Sequence, residues 1–435
     1  MQVWIWVYLN IKIFLPLFSI KKDHFSLNSS MITEDHRPYI LQRETNIMRS
    51  IKKFLGLPFL FLSLNLRASC PYRFVFYSLF WSLFTSPPTL HATSLNPPWE
   101  NSEELKVKWG GFVDTYYTYD LNRPPHSARN PKDYNFTSQA ARHNEFNVNL
   151  AYFEVTGKAE KVRGRLALQY GTSVPIGYSM TGKESSSLNT LQEAFAGYRL
   201  ASGWWLDGGV FFSHIGFESW ISKNNWNYTR SLILDQVPYF QTGVRLSYDQ
   251  NGPWSFQIHL LNGWSTILNS NQSRALGLHL EYRVHPQLTL SYNQFYGLVL
   301  NQMPRLYQEI YATLQISEKW SVLGAVEFGL QKINPQDWAQ WGSAELLTRY
   351  EITPRFSLAY RLEAFIDPKG ITQQTSTPHG YTLTSTSFGF NSQLSPQLLW
   401  RGEVRGYLSP DPLFKTRGPN SRQDASLTTS LSLSL

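Results

Sequence analysis

Cysteine is almost missing: the single one, Cys70, lies near the N-terminus. The rest of the chain can form no disulfide and no thiolate metal site. Long apolar runs are missing too. The two candidates, Phe54–Leu66 and Phe74–Phe84, are too short to span a bilayer as helices and suit a signal-peptide core. With a mean hydropathy of −0.30, a helical membrane bundle is excluded. No composition break divides residues 109–435, which argues against several soluble domains.

One-sided charge is also absent from most of the chain. The net charge is +8, but residues 1–92 hold ten Lys/Arg and only four Asp/Glu. That leaves 29 basic and 27 acidic residues in the remainder, so a nucleic-acid function does not follow from the overall basicity. Catalytic patterns are lacking as well. After Ala92 the seven histidines (His126, His143, His214, His259, His279, His285 and His379) show no HxxxH or HxH spacing. His259 and Asn262 have no serine nucleophile motif beside them, and His279 with Glu281 is too little for a metal. No Gly-rich phosphate loop is visible, and no enzyme, metal or cofactor is expected.

What is present is alternation. Leu276, Leu278, Leu280, Tyr282 and Val284 fall on one face, and Ala275, Gly277, His279, Glu281 and Arg283 on the other. A period of two marks a strand with one apolar and one polar side. The unit recurs at 109–119, 144–157, 163–173, 190–200, 204–213, 240–249, 253–262, 274–284, 287–296, 306–317, 319–331, 341–353, 355–366, 380–394, 397–408 and 424–435. This predicts an all-β fold: a transmembrane antiparallel up-and-down β-barrel of about 16 strands, with 14 and 18 as alternatives. Turn chemistry such as Asp249-Gln250-Asn251-Gly252-Pro253, His285-Pro286 and Ser395-Pro396 marks the tight connections. Long connectors are expected after every odd strand, which puts them all on the outer side.

Aromatics make up 15% of the chain, as interfacial girdles require. Trp204, Trp205, Trp254, Trp320 and Trp400 follow tight turns, a candidate periplasmic girdle. Trp264, Tyr296, Trp338, Trp341 and Tyr407 stand near long loops, a candidate outer one. The first 92 residues are expected to be a targeting region, an over-extended start followed by a signal peptide, with cleavage after Ala92; the alternative is a true membrane anchor. Residues 93–108 would be a short periplasmic segment and 109–435 the barrel.

The polar phase should line the lumen, since a charge facing lipid at the midplane costs a few kcal/mol. It contains Arg163, Arg165, Glu193, Arg199, Asp207, Arg245, Glu281, Arg283, Glu327, Glu345, Arg349, Glu351, Arg361, Glu363, Arg401, Glu403 and Arg405, a mixed-charge wall without a ladder of one sign. The connector 214–239 keeps Ile215, Phe217, Trp220, Ile221, Trp226, Leu232, Ile233 and Leu234, more apolar content than a solvated loop retains. It is expected to fold into the lumen as a constriction, presenting Glu218, Lys223, Arg230 and Asp235 to the channel. A short helix within it and a role as a partner-binding surface loop are alternatives.

Phe112–Tyr117, Phe146–Phe153, Gln192–Tyr198, His214–Tyr239, Gly243–Tyr248 and Leu261–Trp264 together resemble the outer-membrane β-barrel porin family described as OmpL-like. The likeness covers roughly 109–435 and is clearest up to about 300. The resemblance implies a bacterial outer-membrane location and a channel. One departure bears on assembly: such barrels usually end in an aromatic residue read by the assembly machinery, and this chain ends in Leu435. The expected function is passive diffusion of small hydrophilic solutes through a water-filled lumen. A sugar- or anion-selective channel and a surface-binding or structural barrel are the alternatives. Outer-membrane lipid, the barrel-assembly machinery and a homotrimer, by analogy with other sixteen-stranded porins, are the expected partners; nucleic acid is not.

Overall fold

The computed structural model describes residues 104–125, 137–180, 187–249, 252–268, 273–299 and 302–435. The targeting region and residues 93–103 lie outside the described residues. Sixteen strands follow one another: β1 (Lys106–Asp120), β2 (Phe146–Lys158), β3 (Val162–Tyr170), β4 (Leu191–Ala201), β5 (Trp204–Phe212), β6 (Phe240–Asp249), β7 (Trp254–Leu261), β8 (Ala275–His285), β9 (Leu288–Val299), β10 (Met303–Gln315), β11 (Trp320–Asn334), β12 (Asp337–Thr353), β13 (Phe356–Asp367), β14 (Tyr381–Gln393), β15 (Leu398–Leu408) and β16 (Gln423–Ser434). Each pairs with its sequence neighbours, and β1 pairs antiparallel with β16, Phe112 opposite Ser434 and Asp120 opposite Ser426, so the barrel closes. Closure satisfies every strand edge, the condition for crossing a membrane with sheet. No helix among the described residues is long and apolar enough to cross one.

The wall is uneven in height. β5, β6 and β7 have 9, 10 and 8 residues, against 15 and 17 for β11 and β12. On the tall side two connectors expected to be long are short. β9 runs to Val299 with β10 starting at Met303, and β11 and β12 are joined by Pro335 and Gln336 alone. Asn334 Oδ1 accepts the Gln336 N–H at 3.0 Å, an Asn-Pro tight turn that lets both strands extend. β3 ends before Gly171, and a short helix, α1 (Ser173–Met180), follows it. The connector 213–239 holds only a 3-10 turn, Ser222–Asn224.

Alternation sorts side chains as a barrel requires. Leu276, Tyr296, Val326 and Val404 are more than half exposed on the outside, while Phe295, Glu309, Arg361 and Arg405 in the opposite phase are buried. Trp254, Trp320 and Trp400 face outward near the tight turns; Trp254 stacks on Tyr282 at 4.0 Å, and Trp320 and Trp400 donate their indole N–H groups to Thr348 and Thr429. Tyr296 and Trp338 face outward at the other end. Four residues assigned to the girdles are turned inward instead. Trp205 lies under the Arg163 guanidinium at 4.4 Å, and Trp264 packs on Phe295 and Tyr307. Trp341 and Tyr407 share the inward phase of Glu345 and Arg405 and are buried with them. The period of two overrides position along the strand.

Candidate functional site: a loop seated across the lumen

Residues 213–239, between β5 and β6, cross the lumen and meet the far wall. The apolar residues that marked this segment bury themselves there. Ile215, Leu232, Ile233, Leu234 and Val237 join Phe211, Phe295, Tyr307, Phe365 and Tyr381 from the wall in one buried cluster. Trp220 stacks on Tyr239 at 3.9 Å and donates to Gln169 Oε1 at 3.0 Å.

The loop backbone has no ladder to pair with, so wall side chains satisfy it. Arg361 Nη1 donates to Thr229 O at 2.6 Å. Arg401 Nη2 donates to Asn225 O at 2.8 Å and Trp226 O at 3.1 Å, and Arg405 Nη1 to Arg230 O at 2.8 Å. The carboxylates take the loop N–H groups: Glu403 accepts from Thr229 N at 2.7 Å, Glu363 from Leu232 N at 2.6 Å and Glu309 from Gly216 N at 2.9 Å. On β1, Asp114 accepts from Ser222 Oγ at 2.8 Å and Tyr228 OH at 3.1 Å. Bonds of this charge-assisted kind contribute about 1.5–3 kcal/mol each.

This arrangement changes the reading of the loop's own charges. Glu218, Arg230 and Asp235 are not presented to open water but buried in the seal. Glu218 receives Ser231 N at 2.7 Å and faces Arg361 at 3.2 Å. Burial pushes its carboxyl above the usual range, with Arg361 opposing. Arg230 stands 3.9 Å from Asp235, whose carboxyl is also pushed up by burial. Lys223 donates to Ser434 Oγ at 2.8 Å, and partial burial lowers its ammonium pKa. The reason is volume: so apolar a loop fills its side of the lumen and carries its charges into contact with the wall.

The wall residues fall into three groups. Arg361, Glu363, Arg401, Glu403 and Arg405 lie beneath the loop, at most 3% exposed, and act as its clamp. Arg163, Arg165, Glu193, Arg199, Asp207 and Arg245 form a half-wet network on β3–β6. Asp207 accepts from Arg163 Nε at 2.7 Å and Arg245 Nε at 2.9 Å, and Arg165 bridges Glu154 and Glu193. Glu327 and Glu345 are buried on β11 and β12, with Glu309 directly opposite Glu327 and Glu363 directly opposite Glu345. An acidic row therefore crosses β10–β13 on the tall side. Glu281 is partly covered, Arg283 is exposed at a tight turn, and Arg349 pairs with Glu351 at 2.9 Å near the same end.

Three further side chains take part. Glu309, Asp114 and Arg305 carry the same two-residue phase as their recognised neighbours, which was the available signal. Arg305 sits between Trp264 and Trp341, 4.6 and 5.2 Å from their rings. Open space remains at the tight-turn end, where a cavity of about 810 Å³ is lined by β1–β4.

A family model described as "Putative beta-barrel porin-2, OmpL-like" matches residues 106–435. Among solved structures, the chain is similar to the anion-selective porin from Comamonas acidovorans, at 10% identity, TM-score 0.50 and coverage of 76% of this chain and 100% of that one. It is similar to the outer membrane channel DcaP of Acinetobacter baumannii, at 11% identity, TM-score 0.51 and coverage of 76% and 97%. It also resembles a trimer form of in-vitro folded OmpT from Vibrio cholerae, at 8% identity, TM-score 0.50 and coverage of 76% and 99%. These identities speak to the fold alone. No curated protein sequence matches.

Proposed function

The chain belongs to the OmpL-like β-barrel porin family of the bacterial outer membrane, and from that membership we propose that it is a passive diffusion channel of low conductance for small hydrophilic solutes. The observation that carries this reading is the loop 213–239, which is held across a closed sixteen-stranded barrel by side chains from β1, β10, β13 and β15. Sixteen strands enclose a lumen wide enough for water. The loop sets how much of that lumen is open, and the arginines of β3–β6 with their carboxylate partners line its half-wet side. The lumen serves as a passage and carries no reaction. Outer-membrane lipid covers the outward apolar face, the barrel-assembly machinery inserts it, and three copies associate, as the OmpT trimer form suggests by analogy.

Planar-bilayer recording of the purified protein tests this. Small, stable, weakly selective steps are expected from the full chain, and larger steps after deletion of 217–231. No current from either protein would rule out the channel. The reversal potential in a salt gradient separates a weakly selective pore from one strongly selective for anions.

A further inference from the structure

The tight-turn mouth carries an arrangement that a solute-neutral pore does not need. β1 begins at Lys106, inside the segment expected to precede the barrel, and this brings its lysines into register with β2 and β3. Lys106 lies directly opposite Lys158, and Lys158 directly opposite Arg163. One step further in, Lys108 and Arg165 flank Thr156 in the same way. Like charges directly opposite one another destabilise an antiparallel pair. Here three stand in a row on neighbouring strands, about 5 Å apart.

These cations differ in how they are held. Arg163 is bound by Asp207 and Arg165 by Glu154 and Glu193. Arg199 lies over the Trp205 ring at 5.1 Å, and among the described residues its Nε has no hydrogen-bond partner. Lys106, Lys108 and Lys158 are exposed, and among the described residues none has an ion-pair partner. All six line the cavity of about 810 Å³, with Glu104 and Glu160 as its carboxylates and Phe195 as an apolar patch. The cavity is therefore walled by six cations and two anions, and three of the cations are uncommitted.

We propose that this vestibule is a binding site for small multivalent anions, whose charges, spaced by several ångströms, bridge Lys106, Lys158 and Lys108. The inference rests on the porin reading for the route by which such anions reach the lumen. It assigns the tight-turn mouth a concentrating role that the loop constriction does not supply.

Isothermal titration calorimetry of the detergent-solubilised full chain with sodium tripolyphosphate tests the site without requiring any current. Binding is expected at about 0.1 M salt and should weaken at least about tenfold at about 1 M, where the screening length falls from about 10 Å to about 3 Å. Lys106→Gln/Lys158→Gln should weaken it about tenfold or more. Lys319→Gln, at a tight turn away from the cavity, should leave it as it is. No binding at low salt, or equal binding by Lys106→Gln/Lys158→Gln, overturns the site. Loss of binding with conductance intact removes the site and leaves the channel; binding by a protein that conducts nothing upholds the site and removes the channel reading.

Discussion

The imidazoles of His214, at the root of the lumen loop, and His259, on β7, are stacked with centroids 4.2 Å apart and planes 25° from parallel. His214 Nε2 lies 2.9 Å from Gln294 O, while among the described residues neither ring nitrogen of His259 has a hydrogen-bond partner. Directly opposite His259 on β6 stands Arg245, whose guanidinium packs over Phe211 at 4.6 Å. His279 on β8 is the other titratable neighbour; it is linked to Asn293, and through it to Glu309, which receives Gly216 N. A fixed cation thus stands beside the stack.

Burial first, and then His279 and Arg245, lowers His214 from 6.5 to about 4, against the opposing bond to Gln294. A depressed histidine favours the seated loop while it is neutral. Its contribution is fully present above the released-state value near 6.5, falls as the pH drops through that value, and is exhausted below about 4. The difference corresponds to roughly 3 kcal/mol. Bilayer recordings should therefore show larger or noisier openings at pH 4.5 than at 7.5, and His214→Gln should flatten that dependence. Identical recordings of the wild type at both values would refute the coupling.

The strands were legible in the chain because period-two alternation is a local signal, and β16 could be read from Leu427, Leu431 and Leu433 against Thr428, Ser430 and Ser432. The lumen loop was legible for a related reason: Leu232-Ile233-Leu234 in a connector has to be buried somewhere. Its mode of seating was not, because Arg401 reaches Asn225 across more than 170 residues of chain and no local pattern encodes that pairing. Position near a strand end points Trp341 and Tyr407 to a girdle, but their phase turns them inward. The lysine row is not legible in the sequence, because the alternation marks the first strand only from Trp109 and leaves Lys106 without a partner strand.

Arg401 and Arg405 hold loop carbonyls with fully buried guanidinium groups. Removing Arg405 takes away the partner that buried Glu363 meets at 2.6 Å, a change that costs about 3–5 kcal/mol, and removing Arg401 leaves the loop carbonyls of Asn225 and Trp226 without their donor. Arg401→Ala and Arg405→Ala should free the loop, raise single-channel conductance and expose Lys223 and Arg230 to trypsin. Arg283→Gln, at an exposed tight-turn position, should alter stability by less than about 0.5 kcal/mol. An Arg401→Ala protein with the wild-type conductance and digestion pattern would show that the clamp does not hold the loop.

The division of tryptophans by phase has a direct optical readout. Trp254, Trp320 and Trp400 face lipid, whereas Trp264 and Trp341 pack inside against Arg305. Quenching by brominated lipid in reconstituted vesicles should decrease in Trp320→Phe and stay unchanged in Trp341→Phe. The reverse result would mean that the inward assignment of Trp341 is wrong.

Gly209 and Gly243 are cross-strand partners on β5 and β6, at φ +137 and +155. A Cβ at Gly243 would meet Leu260 O at 2.1 Å, and one at Gly209 would meet Ala194 O at 2.2 Å, so only glycine fits at either position. The pair lies close to the point where β5 gives way to the lumen loop and β6 receives it. Gly243→Ala should cost about 1–3 kcal/mol through backbone strain alone. It should lower the temperature at which the barrel loses its compact mobility on gels, whereas Gly324→Ala, where nothing lies within 4 Å of the added carbon, should not. Equal midpoints for the two variants would argue that the β5–β6 pair relaxes around a side chain and that glycine is not required there.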